Sequence, residues 1–233
     1  MNDRAAPQAV LFDLDGTLID TADDLVDALF AACAALSQPT PDRARARQRV
    51  GNGSVGLVKL AFGDQWSSRH DQAVEVLLSH YATHIAKQSA LYPGLDDLLT
   101  QLDAAGVPWG IVTNKPEHLT HLLLNALGLH ERTGCIVGAD TLPVRKPDPA
   151  PLTFAAGILK TLPQDCVYIG DHERDMVAAR AAHMRCLAAS YGYIETDDDP
   201  YRWGADAVID TSKDITSSLT ALGMLTRRQE QLA

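Results

Sequence analysis

Short apolar runs that end in polar or acidic residues recur along the chain. The clearest are residues 9–14, 109–113 and 166–170, and weaker runs occupy residues 184–189 and 205–209. Continuous apolar runs of this length are typical of strands that are buried on both faces, as in parallel sheets. Because helical patterns separate the runs, the sequence predicts an α/β fold with a doubly wound (Rossmann-like) parallel sheet.

Helical patterns fill most of the intervals between these runs. Leucines recur at helical spacing before Gly106 and again before Gly128. Glycine is favoured just after a helix because it adopts a positive φ without strain. Helices are therefore predicted at residues 96–105, 118–127, 149–162 and 174–182.

One long segment after the first strand breaks this alternation, since it shows helical patterns and no convincing strand. Thr21 and Asp24 match a capping box at the start of its first helix. Further helices are predicted from about Ser54 and over residues 72–86. We therefore expect an all-helical cap domain at residues 20–89, inserted into an α/β core made of residues 1–19 and 90–233.

The charge of the chain limits its partners. The 20 basic and 30 acidic side chains give a formal net charge of −10 and a pI near 5.1. This balance argues against binding to nucleic acid or to an anionic membrane surface. An anionic small molecule is still compatible, because a metal ion and a few basic groups can set the local field.

A reduced, cytoplasmic protein is expected. No apolar run approaches the length of a membrane span, and residues 1–8 are polar and too short for a signal peptide. The cysteines lie far apart in sequence, which argues against a zinc motif or a redox pair and favours buried thiols. These residues are Cys33, Cys135, Cys166 and Cys186.

Asp13 and Asp15 lie two residues apart at the end of the first apolar run. Ligands of open α/β sheets bind at this edge, and two carboxylates there are costly unless something compensates their charge. Magnesium would do so because it prefers hard oxygen ligands, and Gly16 permits the sharp turn that such a site needs. Alone, the pair also fits an ordinary acidic turn.

Asp171 and Asp175 follow the buried run at residues 166–170. Alone, they also fit the preference of a helix N-terminus for acidic residues. Because strand ends of a parallel sheet share one edge, we expect both acidic pairs to meet. The sequence therefore predicts a magnesium site formed by Asp13, Asp15, Asp171 and Asp175.

Two further segments could hold a phosphate group. Thr113 and Asn114 end another strand, where a hydroxyl, an amide and the N–H groups of a following helix could bind phosphate oxygens. A simple N-cap fits them as well. Lys146 lies beside prolines that stiffen the backbone, so its ammonium could neutralise a phosphoryl group. By itself, it could equally be a surface lysine.

Taken together and in this order, the four segments closely resemble the four motifs of the haloacid dehalogenase-like hydrolases. The matching segments are FDLDGTL, VTN, RKPDP and GDHERD, which contain Asp13, Thr113, Lys146 and Asp171 respectively. The YPGL segment at residues 92–95 resembles the linker that follows a helical cap in this family. The resemblance covers almost the whole chain.

The resemblance implies a magnesium-dependent phosphomonoesterase with a phospho-aspartate intermediate. Asp13 would be the nucleophile, and Asp15 would be the general acid and then the base. Magnesium would be held by the Asp13 carboxylate, the Asp15 carbonyl and the Asp171 carboxylate, supported by Asp175. Thr113 and Lys146 would hold the phosphoryl oxygens. No role is implied for His172, which stands at a variable position of the motif.

Other functions remain open alternatives. Dehalogenases of this superfamily share the nucleophile but lack an aspartate at the position of Asp15, so they fit less well. Phosphomutases keep both aspartates. A non-enzymatic phospho-accepting signalling domain also uses an aspartate and magnesium on a doubly wound sheet. It needs neither the inserted cap nor Asp15, and both features therefore argue against it.

The expected partner is a small phosphomonoester, and the chain is expected to be a monomer or a small homo-oligomer. Gly51, Asn52 and Gly53 in the cap resemble phosphoglycolate phosphatases and could bind the substrate, although an interhelical turn also explains them. Residues 191–194 and 199–206 resemble more closely the N-acetylmuramic acid 6-phosphate phosphatases of cell-wall recycling. The expected substrate is N-acetylmuramic acid 6-phosphate, with 2-phosphoglycolate as the alternative.

Overall fold

The computed structural model describes residues 6–63 and 69–225. A parallel sheet of six strands forms its centre, in the order β5-β4-β1-β6-β7-β8. The strands β2 and β3 form a separate antiparallel pair. The bounds are β1 (Ala9–Phe12), β2 (Ile19–Asp20), β3 (Ala90–Leu91), β4 (Trp109–Val112), β5 (Ile136–Val137), β6 (Cys166–Gly170), β7 (Arg185–Ala189) and β8 (Ala207–Ile209).

The first strand lies at the middle of the sheet. Val10 pairs with Trp109 of β4 on one side and with Val167 of β6 on the other. The chain therefore leaves β1 in one direction and later returns past it in the other, which creates a topological switch point. Residues that follow β1, β4 and β6 meet at this point, at the carboxyl edge of the sheet.

Helices cover both faces of the sheet, as alternating side chains on β1 require. Val10 and Phe12 belong to the hydrophobic cluster on one face, and Ala9 and Leu11 to the cluster on the other. The first cluster contains leucines of α5 (Leu95–Ala104) and α6 (Glu117–Ala126) and part of α9 (Asp214–Ala221). The second contains apolar residues of α7 (Ala150–Ile158) and α8 (Glu173–Ala181). The predicted doubly wound α/β fold is confirmed.

The remaining helices lie together between β2 and β3 and have their own hydrophobic cluster. Leu29, Leu57, Leu77 and Tyr81 are fully buried in it. Leu119 and Tyr193, from the α/β part of the chain, also belong to this cluster, so the helices pack directly against the carboxyl edge of the sheet. Their bounds are α1 (Ala22–Ala35), α2 (Arg43–Gln48), α3 (Gly53–Phe62) and α4 (His70–Thr83).

The predicted capping box at Thr21 and Asp24 is wrong. The Thr21 hydroxyl donates to Asp15 Oδ1 at 2.6 Å and makes no capping hydrogen bond to α1. The Asp24 carboxylate accepts the backbone N–H groups of Gln88 and Ser89, each at 3.0 Å. The Thr21 and Asp24 side chains therefore bond residues outside the first turn of α1 instead of capping the helix.

Most predicted elements differ from the observed ones by only one or two residues. The helix predicted at residues 149–162 is shorter, since α7 ends at Ile158. The helix α2 and the two-residue strands β2, β3 and β5 were not predicted. All four cysteines are buried and carry free thiols. Within residues 6–63 and 69–225, no helix has both the length and the apolar character to cross a bilayer.

Candidate active site

Asp13 follows β1 directly and is only 6% exposed. Its Oδ1 accepts the N–H of Leu14 at 2.8 Å and lies 2.9 Å from Lys146 Nζ. The same ammonium lies 2.8 Å from Asp175 Oδ1 and donates to the Tyr168 hydroxyl at 2.7 Å. Lys146 is therefore a buried cation held between two carboxylates, and its interpretation as a surface residue is wrong.

Three carboxylates meet at the edge of the sheet. Oxygen atoms of Asp13, Asp171 and Asp175 all lie within 4.8 Å of one another, and all three residues are buried. Burial and the nearby Asp13 and Asp175 carboxylates raise the pKa of Asp171 to about 8. Burial also raises the pKa of Asp175, although Lys146 opposes this rise. Both pKa values rise because burial removes the negative carboxylates from water, and a bound cation would compensate this cost.

Backbone and hydroxyl groups fix the orientation of Asp171. Its Oδ2 accepts the N–H of Tyr193 at 2.9 Å, and its Oδ1 accepts the Thr17 hydroxyl at 3.2 Å. Gly16, at φ +85°, passes so close that a Cβ atom there would lie 2.0 Å from Asp171 Oδ2. A glycine is thus required for the first and fourth motifs to approach each other.

The donor set fits magnesium. Carboxylate oxygens are hard ligands, and three buried carboxylates with one lysine between them leave excess negative charge at this edge of the sheet. The side chain of Asp15 does not belong to this cluster. A contribution of Asp15 to a metal site would therefore have to come from its backbone carbonyl.

The Asp15 side chain turns instead toward α4 and the end of β4. Its Oδ1 accepts the Thr21 hydroxyl at 2.6 Å and lies 3.0 Å from Lys115 Nζ. The Lys115 ammonium also lies 4.3 Å from the ring centroid of Tyr81, on α4. Burial lowers the pKa of Lys115, but the Asp15 carboxylate and the Tyr81 hydroxyl together more than offset this effect, so the net change in pKa is upward.

Lys115 is a site residue that the sequence analysis missed. It directly follows Thr113 and Asn114, so its position after the second motif was the available signal. Thr113 is 4% exposed, and its Oγ1 accepts the N–H of Lys115 at 3.2 Å. Asn114 donates through Nδ2 to the carbonyl of Lys146 at 3.0 Å. The ends of β1 and β4 and the segment around Lys146 are thereby joined.

A cavity of about 490 Å³ opens above these residues. Its floor comes from the sheet edge and its roof from the helices between β2 and β3. The predicted site residues on its wall are Asp13, Asp15, Gly51, Asn52, Gly53, Thr113, Asn114 and Lys146; unpredicted ones include Tyr81, Lys115, Arg145 and Arg174. Asp171 and Asp175 lie behind the floor rather than on the wall.

Gly51 and Asn52, which also lie on the cavity wall, are held by contacts within the protein. Asn52 donates through Nδ2 to Glu195, which also pairs with Arg49 at 3.1 Å. The Gly51 carbonyl accepts a hydrogen bond from Arg174. The Asn52 amide nitrogen is therefore already engaged by the protein, and the turn is tied to the core by two polar contacts.

His172 is the N-cap residue that precedes α8, and it lies on the cavity wall. Its Nδ1 accepts the N–H of Arg174 at 3.3 Å, and its own N–H donates to Asp175 Oδ2 at 3.1 Å. Burial and the Arg174 guanidinium lower the pKa of His172 to about 4. The imidazole is thus neutral near pH 7 and accepts a hydrogen bond at the helix end, while the backbone N–H of His172 supports the Asp175 carboxylate.

The geometry suits the transfer of a phosphoryl group to a carboxylate. The Asp13 and Asp15 carboxylates and the Lys146 ammonium line one cavity, and the Asp171 and Asp175 carboxylates lie next to Asp13. Anionic phosphoryl oxygens would be bound by the cationic groups while Asp13 lies within reach of the phosphorus. A second carboxylate near the opening can exchange protons with a leaving group or with water.

The model of the family described as haloacid dehalogenase-like hydrolase matches residues 10–189. A phosphoglycolate phosphatase of Xanthomonas campestris pv. campestris is 42% identical over 204 residues, which cover 88% of this chain and 92% of the relative. An N-acetylmuramic acid 6-phosphate phosphatase of Pseudomonas aeruginosa is 38% identical over 217 residues, covering 93% and 96% respectively.

A similar fold occurs among solved structures. A protein of Haemophilus somnus described as a predicted phosphoglycolate phosphatase superposes with a TM-score of 0.83. Its sequence is 26% identical, and the superposition covers 92% of this chain and 98% of that one.

Proposed function

Because the chain belongs to the haloacid dehalogenase-like hydrolases and is a phosphatase of small phosphorylated metabolites, we propose that it works through a phospho-aspartate at Asp13. The observation that carries this proposal is the buried contact of 2.9 Å between Asp13 and Lys146 beside Asp171 and Asp175. It combines a fixed carboxylate with the positive charge that a phosphoryl group requires.

In the first step, an Asp13 oxygen forms a bond to phosphorus and the bond from phosphorus to the leaving oxygen breaks. Asp15 donates a proton to that oxygen, which leaves as an alcohol. In the second step, water attacks the phosphorus and Asp15 takes its proton. Inorganic phosphate leaves, and the carboxylate of Asp13 is restored. Thr113 and Lys146 hold the phosphoryl oxygens through both steps.

Asp13, the Asp15 carbonyl and Asp171 are the proposed magnesium ligands, supported by Asp175. A bound magnesium ion would reduce the negative charge on the phosphoryl oxygens as the carboxylate approaches. The Lys146 ammonium contacts both Asp13 and Asp175, so it is fixed beside Asp13 by a second carboxylate. The lysine thus keeps Asp13 directed toward the cavity.

We propose that residues 20–89 act as the cap that selects the leaving group, and that the substrate is N-acetylmuramic acid 6-phosphate. A cavity of about 490 Å³ is large for the glycolyl group of 2-phosphoglycolate and suits a substituted sugar. The segments at residues 191–194 and 199–206 support the same choice, because they resemble the N-acetylmuramic acid 6-phosphate phosphatases. A similar protein of Pseudomonas aeruginosa carries this name.

The second candidate is 2-phosphoglycolate. It is favoured by a relative of Xanthomonas campestris pv. campestris that is 42% identical and named phosphoglycolate phosphatase. Both substrates carry a carboxylate and a phosphate, so they share the chemistry at Asp13 and differ in the size of the leaving group.

The test is a comparison of kcat/KM for both compounds with purified protein and magnesium. We expect N-acetylmuramic acid 6-phosphate to exceed 2-phosphoglycolate by at least about tenfold, equivalent to about 1.4 kcal/mol of transition-state binding. N-acetylglucosamine 6-phosphate, which lacks the lactyl carboxylate, should be clearly worse. An Asp13→Asn variant controls for contaminating phosphatases. A higher kcat/KM for 2-phosphoglycolate would reject the larger substrate.

A further inference from the structure

Three buried polar atoms have no hydrogen-bond partner within residues 6–63 and 69–225, and all three belong to residues of one cavity wall. They are Tyr81 Oη, Asn114 Oδ1 and Arg174 Nε. Buried polar atoms are rarely left unpaired, because water no longer solvates them. Tyr81 belongs to the roof and Asn114 to the floor, so a ligand between them would be contacted from both sides.

The cationic side chains on this wall, among the residues that the structure describes, are Lys115, Arg145, Lys146 and Arg174. Arg145 is exposed to solvent, whereas the other three are buried or partly buried. Lys146 is paired with Asp13 and Asp175, and Lys115 with Asp15. Among the residues that the structure describes, Arg174 has no carboxylate within ion-pair distance. Its polar side-chain contact there is with a neutral group, the carbonyl of Gly51. The buried Asp171 and Asp175 carboxylates interact with this charge at longer range but do not accept its N–H donors. An anion that accepts those donors would therefore bind it favourably.

The position of the guanidinium indicates which part of a substrate it meets. Phosphoryl oxygens belong beside Asp13 and Lys146, whose contact fixes that end of the cavity. The Arg174 guanidinium reaches instead to Gly51, in the turn before α3. It therefore lies between the core and the roof, on the side that the leaving group would occupy.

We propose that Arg174 is a specificity-determining residue that binds a carboxylate on the leaving group of the substrate. Its planar fork of N–H donors matches the two oxygens of a carboxylate. Tyr81 Oη and Asn114 Oδ1 then bond hydroxyl or amide groups of the same leaving group. This inference rests on the proposed function, because it places the phosphoryl group at Asp13. Arg174 takes the role of binding the leaving group that the sequence suggested for Asn52, because the Asn52 amide nitrogen already bonds Glu195.

The experiment uses two pairs of substrates that differ in a carboxylate. One pair is N-acetylmuramic acid 6-phosphate and N-acetylglucosamine 6-phosphate; the other is 2-phosphoglycolate and 2-hydroxyethyl phosphate. In the Arg174→Gln variant, the kcat/KM ratio within the preferred pair should fall at least about tenfold. The Arg174→Lys variant keeps the charge without the fork, so its ratio should be intermediate. If the ratio falls for the sugar phosphates, Arg174 binds the lactyl carboxylate. If it falls for the other pair, Arg174 binds the carboxylate of 2-phosphoglycolate.

Arg180→Gln is the matched control, since it removes the same charge from the exposed end of α8. Its substrate ratios should equal those of the wild type. Hydrolysis of p-nitrophenyl phosphate by each variant reports that the protein is folded and that the chemistry at Asp13 proceeds. If the wild type hydrolyses no phosphomonoester, the proposed function fails rather than the assignment of Arg174.

Binding supplies a second readout in the inactive Asp13→Asn background. Titration calorimetry with the preferred carboxylate-bearing substrate should give a dissociation constant at least about tenfold weaker after Arg174→Gln. An equal loss of kcat/KM for both members of each pair would assign Arg174 to the phosphoryl group and overturn the proposal. Unchanged ratios in the Arg174→Gln variant would overturn it as well.

Discussion

The Lys115 ammonium lies 3.0 Å from Asp15 Oδ1, so the end of β4 supplies a fixed cation to the second aspartate after β1. The Lys115 side chain is 5% exposed and the Asp15 side chain 19% exposed. Thr21 donates to the same oxygen atom at 2.6 Å. The orientation of the Asp15 carboxylate is therefore set by Lys115, after β4, and by Thr21, after β2.

Loss of this cation should impair the step that needs Asp15. In a Lys115→Met variant, Asp15 keeps only the Thr21 contact, and we expect kcat for sugar phosphates to fall by about tenfold or more. The loss should be smaller for p-nitrophenyl phosphate, whose leaving group hardly needs a proton. Lys115→Arg, which retains the charge, should lose less than Lys115→Met. Unchanged kcat on the sugar phosphate would show that the pair does not position Asp15.

The two aspartates after β1 should be separable by the leaving group. Asp15→Asn cannot exchange the proton, although its backbone carbonyl is unchanged, so we expect a loss of roughly 100-fold or more for poor leaving groups. Single-turnover kinetics should show a smaller loss of the first step with p-nitrophenyl phosphate. Equal losses on both kinds of substrate would contradict the assignment of Asp15 as the acid.

Magnesium should be required and readily removed. Because magnesium sheds its water reluctantly, Asp13 and Asp171 should hold it weakly without substrate. We expect excess chelator to abolish hydrolysis of p-nitrophenyl phosphate, and added magnesium to restore it. Calcium should substitute poorly, since its higher and looser coordination would misplace Asp13. Full activity in excess chelator would exclude the proposed metal site.

Alkaline pH should destabilise the fold through its buried thiols. Burial raises the pKa values of Cys135 and Cys166 to about 12, whereas unfolded thiols ionise near pH 8.5. The unfolded state therefore binds fewer protons above that pH, and stability falls between about pH 8.5 and pH 12. At about pH 10, each thiol should cost roughly 1–2 kcal/mol in the free energy of unfolding.

Urea unfolding of wild type and Cys166→Ala at about pH 8 and about pH 10 measures this effect. The variant should lose roughly 1–2 kcal/mol less than wild type over this interval, because it lacks one thiol that ionises on unfolding. Equal losses in the two proteins would show that Cys166 does not carry the predicted proton linkage.

Local patterns were enough to predict the sheet and the acidic part of the site. Buried strands gave continuous apolar runs, and Asp13 and Asp171 stood directly at their ends. Parallel strands expose their carboxyl ends at one edge, so the meeting of these residues followed from the strand assignment alone. The strand β5 has only two residues, which is too short for a pattern to be recognised.

Contacts between distant segments could not be predicted in this way. Lys115 looked like an ordinary charged residue after a strand, and only the packing of α4 against the sheet buries it beneath Tyr81. Thr21 matched a local capping pattern, yet its hydroxyl bonds Asp15. Arg174 stood in an acidic motif, and its contact with Gly51 depends on how the helices are placed over the core.

Trapping the phosphoenzyme would identify the residue that accepts the phosphoryl group. The protein is mixed with p-nitrophenyl phosphate carrying a radioactive phosphorus label, because its leaving group hardly needs a proton from Asp15. The reaction is quenched in acid within one turnover, and the labelled peptide is identified by mass spectrometry. We predict a hydroxylamine-sensitive label on Asp13 that accumulates in Asp15→Asn, since loss of the base slows its hydrolysis, and that is absent in Asp13→Asn. A label on another residue, or full turnover by Asp13→Asn after deamidation is excluded, would show that Asp13 is not the nucleophile.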